Sequence, residues 1–381
     1  MTKVDNNLSI IIAGDFFVSK NFQGQDLIDK SMLSLFAKAD YRIVNLEAPV
    51  TDVKAKNKIL KTGPHLCTSE ATTVPLLKQL KIDMVTLANN HILDYGENGL
   101  KDTFKVLKKE QIAFVGAGNN LKEAAKPYII EKEGVKIAIL NFAENEWANA
   151  SEMSAGANPM DIIDNARQIK HAKLQADFVF VIVHGGHEYY NLPSPQMQKQ
   201  YRFYTEQGAD IVIGHHTHCV SGNEIYKGVP IYYSLGNFLF TMQSFYDDWF
   251  KGLVLKVEIK KGKLFAQLHP VKQQEKTFSF SLLKNEEKQD FLIRISSYNK
   301  IIVDESKLKH EWNLFIGSKY DSYLNLWSPL SFVSNRYIKG LLSRISVKGI
   351  NKKGMASVLN LMRCEAHSDI SKEVINRYLT K

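Results

Sequence analysis

The sequence predicts an α/β fold followed by a mostly helical C-terminal extension. Short, nearly continuous apolar runs, such as residues 178–183, alternate with segments whose apolar residues recur at helical spacing. Strands of that kind belong to sheets that are covered on both faces. After about Pro270 helical spacing dominates. We therefore expect one domain over residues 1–270 and a basic, mostly helical extension over residues 271–381.

The first part of the chain is predicted to contain four strands and three helices. Apolar runs predict strands at residues 8–13, 41–46, 84–87 and 112–115. Helical spacing predicts helices at residues 27–39, 74–80 and 99–109, the second with Thr72 or Thr73 as its N-cap. The lysine-rich residues 54–61 have the composition of a solvated surface loop.

The same alternation continues to about residue 270. Strands are predicted at residues 135–141, 178–183, 211–213, 231–235, 252–259 and 263–268, the last three as neighbours in one sheet. Helices are predicted at residues 162–174 and 196–207.

Polar side chains of ligand type follow several of these strands. They are Asp15, Glu47, Asn90, His91, His184, His216 and His218. Because ligands collect outside the carboxyl ends of strands in α/β sheets, we expect these side chains to share one rim. Carboxylate, amide and imidazole ligands suit Mn, Fe, Zn or Co. One divalent ion, or two bridged by a carboxylate, fits this set.

The histidines after residues 211–213 are the densest part of this pattern. Gly214 allows a sharp bend, so that His216 and His218 can converge on one point. A solvated, histidine-rich loop is the alternative interpretation. The other strand ends favour the metal site.

Composition narrows the class of protein. The chain has 381 residues, 44% of them hydrophobic and 23% charged, as in ordinary globular proteins. Its three cysteines, Cys67, Cys219 and Cys364, form no CxxC pair, which favours a reducing compartment over a disulfide framework. No apolar run reaches about 18 residues, so we expect no transmembrane segment and a cytoplasmic location.

Basic charge is concentrated in the C-terminal part. The formal net charge is +9, and residues 271–381 hold 19 Lys and Arg against 11 Asp and Glu, a net of +8. In residues 332–348 the basic side chains lie beside an apolar stripe. A segment of this kind can bind an anionic membrane or an acidic polymer. We prefer the alternative, an amphipathic helix that packs on the main domain with its basic face in solvent.

Six motifs resemble those of one protein family in order and spacing. They are Gly14-Asp15, Asn45-Leu46-Glu47-x-Pro49-Val50-Thr51, Leu87-Ala88-Asn89-Asn90-His91-x-x-Asp94-Tyr95-Gly96, His184-x-Gly186-x-Glu188-Tyr189, Gly208-Ala209-Asp210-x-Val212-Ile213-Gly214-His215-His216-x-His218 and Tyr233-Ser234-Leu235-Gly236-Asn237-Phe238. The chain is similar here to the CapA-type capsule-synthesis proteins, which are linked to poly-γ-glutamate capsules and resemble calcineurin-like metallophosphoesterases.

This resemblance implies a four-layer αββα sandwich of metallophosphoesterase type and a set of roles. Asp15 and His218 would hold a first metal ion, and Glu47 would bridge to a second. Asn90, His184 and His216 would hold the second ion. His91 would protonate a leaving group or stabilise the transition state. Asp94 would either orient His91 or cap the following helix.

Three positions depart from the phosphoesterase pattern. Phe17 stands where a second histidine ligand is expected, and Glu47 replaces an aspartate. Gly185 stands where an aromatic residue is usual. A site with a single ion is therefore an alternative to a pair.

The resulting hypothesis is a metal-dependent hydrolase of capsule or surface-polymer biosynthesis. Metal-bound hydroxide would attack a phosphoester, with His187, Glu188, His215 and Asn237 as further substrate-contact candidates. The alternative is a non-catalytic accessory factor that binds an anionic polymer or a synthase in a capsule-synthesis complex. A nuclease ranks below both, because no basic and aromatic stacking pattern flanks the predicted site.

Overall fold

The structure is a computed structural model that describes residues 7–328 and 350–379. The chain divides into two compact units, Met1–Lys309 and His310–Lys381. The strands are β1 (Asn7–Phe17), β2 (Tyr41–Leu46), β3 (Met84–Thr86), β4 (Ala113–Val115), β5 (Ala117–Gly118), β6 (Tyr128–Lys132), β7 (Val135–Ala143), β8 (Gly156–Ala157), β9 (Phe178–His184), β10 (Ile211–His215), β11 (Asn223–Tyr226), β12 (Val229–Tyr232), β13 (Asn237–Phe240), β14 (Lys251–Lys260), β15 (Lys263–Gln273) and β16 (Phe280–Leu282). The α-helices are α1 (Lys30–Ala37), α2 (Glu70–Gln79), α3 (Gly96–Lys109), α4 (Leu121–Ala124), α5 (Ile162–Lys173), α6 (Pro195–Glu206), α7 (Asn285–Ile302), α8 (Glu305–Leu326), α9 (Lys352–Arg363) and α10 (Glu365–Leu379).

Two large sheets form the centre of the first unit. The larger has the order β16-β15-β14-β1-β2-β3-β4, and β13 also pairs with β1. The smaller has the order β11-β12-β10-β9-β7-β6. Strands β1 to β4 are parallel, and so are β7, β9, β10 and β12. Each sheet therefore has an edge at which the carboxyl ends of parallel strands meet.

The hydrophobic core lies on both faces of the larger sheet. Ile10 and Ile12 of β1 cluster with Ile182 of β9, in the other sheet. The alternate residue Ile11 clusters with Phe104 of α3, because successive side chains of a strand point to opposite faces. Helices α5 and α6 contact the smaller sheet. The layers are thus helix, sheet, sheet and helix, which confirms the predicted four-layer α/β fold.

Strand β1 is longer than the sequence predicts. Its pairing with β14 ends at Ala13, and its last residues, Phe16 and Phe17, pair with β13 instead. The register shifts on both sides of Asp15, as it does at a β-bulge, which re-aims a side chain. Asp15 therefore lies within a strand and not in a turn after it.

Two local predictions are wrong. Residues 231–235 are predicted to share a sheet with residues 252–259, but β12 belongs to the smaller sheet and β14 to the larger one, and the two segments meet at the hydrogen bond from the Leu253 amide to the Leu235 carbonyl. The chain changes sheets in between, at a turn in which Gly236 has a φ of +66°. Helix α2 is capped by Ser69, whose side chain accepts a hydrogen bond from the Thr72 amide. Thr73 is fully buried instead.

The first unit continues beyond the predicted boundary at residue 270. That position falls inside β15, which pairs with β14 on one side and β16 on the other. Helix α7 then adds Phe291 and Ile295 to the core between the sheets. We therefore propose that the first domain ends at Lys309.

The C-terminal part is helical in the residues that the structure describes. It consists of α7 to α10, as the sequence predicts after β16. The basic segment of residues 332–348 lies outside the described residues. Within the described ranges, no helix has the length and apolarity needed to cross a membrane.

Candidate metal centre

Asp15 is held rigidly between the two sheets. It is fully buried. Its Oδ1 accepts a hydrogen bond of 2.7 Å from Asn45 Nδ2, and its Oδ2 accepts one of 3.0 Å from the His216 amide. Asn45 belongs to β2, while His216 follows β10. The carboxylate therefore lies where the strand ends of both sheets meet.

Glu47 follows β2 directly, and its carboxylate indicates a binding site for a cation. It is fully buried. Neither of its carboxylate oxygens has a hydrogen-bond partner among the residues that the structure describes. Leaving a buried polar group without a hydrogen-bond partner costs about 1–3 kcal/mol, and the cost is higher when the group is charged. A bound cation removes that cost.

Three histidines surround the two carboxylates. His184 is the last residue of β9, and His216 and His218 follow β10. The φ angles of His216 and His218 are +85° and +53°, a region that non-glycine residues rarely adopt and that occurs preferentially at functional sites. The strained backbone turns both imidazoles inward, as the sequence-based hypothesis requires.

The separations between these side chains match those of ligands around a shared ion. His184 Nε2 and His218 Nε2 lie 3.7 and 3.6 Å from Glu47 Oε1. The opposite nitrogens of the same rings, His184 Nδ1 and His218 Nδ1, lie 3.7 and 3.8 Å from oxygens of Asp15. All four distances are too long for hydrogen bonds. Donor atoms bound at about 2.1 Å to one ion lie roughly 3–4 Å apart, so Glu47 Oε1 and the two Nε2 atoms fit a divalent metal.

We call Asp15, Glu47 and His184 the inner cluster. Each of them offers one ligand atom, and these atoms lie within 4.8 Å of one another. Asn90 borders this cluster, because its Oδ1 lies 3.1 Å from His184 Nε2. His216 Nδ1 lies 3.1 Å from the same nitrogen. All six predicted metal ligands therefore come together.

His91 forms a buried group with Asp94 and Lys61. Its Nδ1 lies 2.6 Å from Asp94 Oδ2. Lys61 Nζ donates a hydrogen bond of 2.5 Å to Asp94 Oδ1 and lies 3.2 Å from His91 Nδ1. The Asp94 carboxylate also accepts from the Leu66 amide at 2.6 Å. Asp94 thus orients His91, and it does not cap α3, whose N-cap is Tyr95.

Lys61 contradicts the prediction that residues 54–61 are solvated throughout. Its side chain is only 2% exposed, whereas Lys54, Lys56 and Lys58 are exposed as expected. The buried Asp94 carboxylate accounts for the difference, because a buried charge requires a partner.

Two carboxylates that the sequence pattern did not predict lie at the same rim. Glu144 follows β7, and Glu146 lies two residues later. Together with His216 they offer ligand atoms within 4.8 Å of one another, and we call them the outer cluster. Glu144 accepts a hydrogen bond of 2.7 Å from the Gly186 amide, and Glu146 accepts one of 3.1 Å from Asn90 Nδ2. The strand-end rule applied to β7 would have found both.

The four predicted substrate-contact residues fall into two groups. Asn237 is buried, and its Oδ1 lies 2.9 Å from His218 Nδ1. His215 is also buried, with Nδ1 at 3.3 Å from Asp15 Oδ1. These two side chains support ligands. His187 and Glu188 are exposed and stay candidates for contact with substrate.

The position that lacks a histidine ligand is filled by an aromatic side chain. Phe17 is buried, with its ring centroid 5.2 Å from that of Phe240. Both belong to a cluster with Trp249, whose ring lies 4.6 Å from that of His218. An apolar wall therefore closes this side of the centre.

Burial dominates the electrostatics of the centre. Burial, together with the Asp15 carboxylate, raises the pKa of Glu47 well above its usual value. Burial opposes ionisation of Asp15, but the contact with His215 holds the pKa of this carboxyl below its usual value. Burial lowers the pKa of His184 and lowers that of His216 to about 3. The imidazoles of His184 and His216 are therefore neutral, and each has a lone pair for a metal ion.

Comparison with known proteins now decides the family. Residues 9–242 match the family described as "Bacterial capsule synthesis protein PGA_cap". The chain belongs to this family.

Three PGA_cap-related proteins show the extent of the similarity. "PGA biosynthesis protein CapA" of Bacillus subtilis (strain 168) is 36% identical over 248 residues, which are 63% of this chain and 65% of the relative. "Capsule biosynthesis protein CapA" of Bacillus anthracis is 33% identical over 249 residues, 62% of this chain and 60% of the relative. A Mycobacterium tuberculosis protein named as a polyglutamine synthesis accessory protein is 28% identical over 211 residues, 52% of this chain and 55% of the relative.

This PGA_cap chain spans less than two thirds of the length of each of these relatives. The family match includes every residue of the inner and outer clusters. It ends before β14 and leaves out α7 to α10.

Proposed function

We propose that this PGA_cap protein is a metal-dependent hydrolase of phosphoesterase type that acts in the biosynthesis of a capsule polymer such as poly-γ-glutamate. The observation that carries the proposal is the buried carboxylate of Glu47, which lacks a hydrogen-bond partner among the described residues and lies between His184 and His218. The names of the two CapA relatives support the capsule pathway.

The residues divide into a binding group and a proton-transfer group. A first ion of Mn, Fe or Zn would be held by Asp15, Glu47, His184 and His218. Asn90 and His216 would lie on the opposite side of this ion. When bound, such an ion supplies a Lewis acid that polarises a phosphoryl oxygen and lowers the pKa of a water molecule.

His91 is placed to serve as the proton donor or acceptor. Burial lowers its pKa, although the Asp94 carboxylate opposes this change. The contact between Asp94 and Nδ1 fixes the ring and leaves Nε2 for the substrate. Lys61 Nζ donates a hydrogen bond to Asp94 Oδ1 and so helps to hold this carboxylate against His91.

The charge of the rim supports a metal requirement. Asp15, Glu47, Glu144 and Glu146 converge there. An anionic phosphoester would be repelled by ionised carboxylates unless cations neutralise them. The site therefore fits a phosphoester when it holds metal ions.

The test is hydrolysis of bis(p-nitrophenyl) phosphate with added Mn²⁺. We expect turnover by the wild type, loss of at least 100-fold in His91→Ala, and loss in Glu47→Gln. Lys101→Ala, at an exposed ion pair on α3, serves as the control and should keep full activity. Equal turnover by wild type and His91→Ala would contradict the proposed role.

A second candidate is an accessory factor that binds an anionic polymer or a synthase in a capsule-synthesis complex. It is favoured by Phe17, which packs into an apolar cluster where a ligand histidine is expected, and by the accessory role in the name of the mycobacterial relative. Salt-sensitive binding of poly-γ-glutamate without any hydrolysis by the metal-loaded protein would support this function over the first.

For location we propose the cytoplasm, with association to the membrane through partners. All three cysteines are free, and Cys67 and Cys364 are partly exposed. Exposed thiols suit a reducing compartment. Cell fractionation with a cytoplasmic marker tests this location, and recovery outside the membrane barrier would contradict it.

A further inference from the structure

A cleft runs along the outermost strand of the larger sheet. Strand β4 is the last strand on that side. One cavity of about 260 Å³ lies between β4, α3 and the residues that lead into β6. A second cavity of about 470 Å³ lies beside it along α3, and the two share Phe104, Lys108 and Asn119. We call the two cavities together the edge cleft. None of the six predicted metal ligands, all of which the structure describes, lines it.

The edge cleft contains an unpaired strand edge. The Ala113 amide of β4 donates a hydrogen bond to the Asp83 carbonyl, and the Val115 carbonyl accepts one from the Leu87 amide. Because alternate residues of a strand direct their backbone groups to opposite sides, the amide and carbonyl of Phe114 point away from β3. Within the part of the chain that the structure describes, no strand pairs with this side of β4. An extended chain can add to such an edge.

Four exposed lysines line the edge cleft. Lys101, Lys105 and Lys108 recur at helical spacing and therefore share one face of α3. Lys126 comes from the segment before β6. Lys101 is paired with Glu97 at 3.0 Å. Among the described residues, Lys108 and Lys126 are joined to no carboxylate by an ion pair.

The two acidic residues of the edge cleft already have partners. Glu123 accepts hydrogen bonds of 3.0 and 2.7 Å from the amide and the side chain of Asn119. Asp102 accepts one of 2.7 Å from Thr51 Oγ1 and lies 3.6 Å from Lys105 Nζ. The lysines thus outnumber the carboxylates, and the cleft suits an anionic ligand.

The aromatic residues and the strand edge narrow the kind of anion. Phe104 and Phe114 stack on each other, with ring centroids 4.8 Å apart, and Phe104 is only 6% exposed. Single-stranded nucleic acids instead require aromatic faces that are free to stack on bases. A strand edge offers one amide donor and one carbonyl acceptor at each outward residue, which another polyamide can match. A phosphodiester chain has no amide donor.

We propose that the edge cleft binds an extended polyamide chain that carries carboxylates. The amide groups of the chain pair with Phe114 at the edge of β4, and its carboxylates contact the lysines. This binding requires no metal ion and so goes beyond the proposed hydrolase. A glutamate polymer is a chain of this class, and only the choice of that polymer rests on the proposed capsule function.

The experiment measures the binding of fluorescein-labelled poly-γ-glutamate by fluorescence anisotropy, with EDTA present. We expect Lys108→Gln/Lys126→Gln to bind about tenfold more weakly than the wild type, because it removes the two lysines that lack an ion pair. The control Lys170→Gln/Lys199→Gln removes the same charge from exposed positions on α5 and α6, which contact the other sheet. It should bind as the wild type does. Equal weakening in both double variants, or in neither, would overturn the proposal.

A second pair of variants tests the strand edge. Phe114→Pro removes the outward amide, a change that edge strands tolerate, whereas Phe114→Leu removes only the aromatic ring. We expect the proline variant to bind more weakly than the leucine variant, with circular dichroism showing that both are folded. Equal binding by the two folded variants would overturn the pairing with a polyamide. If the proline variant does not fold, the lysine variants decide.

Competition and activity separate the remaining claims. Unlabelled poly-γ-glutamate should displace the labelled polymer, and single-stranded DNA of equal charge should not. Displacement by the DNA would assign the cleft to nucleic acid and overturn the proposal, as would a wild type that binds no polymer. Neither result affects the metal-dependent hydrolysis, which is measured separately. Polymer binding without any hydrolysis would contradict the proposed hydrolase alone.

Discussion

The backbone amide of His216 donates a hydrogen bond of 3.0 Å to Oδ2 of Asp15. Asp15 lies in β1 of the larger sheet, and His216 follows β10 of the smaller one. This bond joins the strand ends of both sheets at the candidate metal centre. Changes at the centre should therefore affect both metal binding and the stability of the fold.

Lys61→Met should destabilise the protein by about 3–5 kcal/mol, because it leaves the fully buried Asp94 carboxylate without its cation. The measurement is the free energy of unfolding from urea denaturation. Lys101→Met breaks an exposed ion pair with Glu97 and should cost less than about 0.5 kcal/mol. Equal effects of the two substitutions would show that Lys61 is not buried as described.

Gly14→Ala should destabilise the fold by about 1–3 kcal/mol or more. A Cβ atom at this position would lie 1.9 Å from the carbonyl oxygen of Gly236, so β1 and the turn before β13 would have to separate. Gly317→Ala is the matched control, because its Cβ meets no atom within 4 Å, and a helical alanine is favoured by up to about 1 kcal/mol. Thermal unfolding measures the stability of both variants. A Gly14→Ala variant as stable as the wild type would contradict the close approach of Gly14 to the Gly236 carbonyl oxygen.

Asn237→Ala should weaken cation binding about 10- to 100-fold, because Asn237 Oδ1 holds His218 through its Nδ1. Asn237→Asp keeps an acceptor oxygen at this position and should retain more of the affinity. Isothermal titration with Mn²⁺ measures both variants. An alanine variant with wild-type affinity would show that His218 is not oriented by this contact.

Cation binding should release protons and strengthen as the pH rises. The folded-state pKa of Glu47 lies above its ordinary value of 4.5, so the contribution of this group to stability is present below that value and is lost as the pH rises. A cation requires the carboxylate and therefore displaces the proton. With one linked proton, the affinity should rise up to about tenfold per pH unit from pH 4.5 to the raised folded-state pKa of Glu47.

Titrations in buffers of different ionisation enthalpy measure the number of protons released. Glu47→Gln removes the group and should abolish both the release and the binding. Binding without proton release at every pH from 4.5 upward would contradict the raised pKa of Glu47.

The sequence predicts the local features of this protein well. Apolar runs locate most strands, and the polar residues that follow them include all six ligands that gather at the centre. The rule works because carboxyl ends of parallel strands share an edge. It missed Glu144 and Glu146 only because the predicted strand at residues 135–141 stops before Ala143, the true end of β7.

Long-range relationships are what the sequence does not show. Nothing in a run of loop lysines distinguishes Lys61 from Lys58, since its burial depends on Asp94, which is remote in sequence. The pairing of β13 with the end of β1 joins residues more than two hundred positions apart. That pairing extends β1 through Asp15 and defines the bulge that aims its side chain.

The most direct test of the account is the effect of Mn²⁺ or Zn²⁺ on the stability of the wild type and of Glu47→Gln. At a concentration 100 times the Kd, one bound ion should add about 2.7 kcal/mol to the free energy of unfolding of the wild type. Glu47→Gln should fold without metal and gain nothing from it, because the buried carboxylate is gone. A wild type that contains no metal after purification without chelator, and whose unfolding is unchanged by millimolar Mn²⁺ or Zn²⁺, would contradict the central claim that Asp15, Glu47 and the histidines form a metal centre.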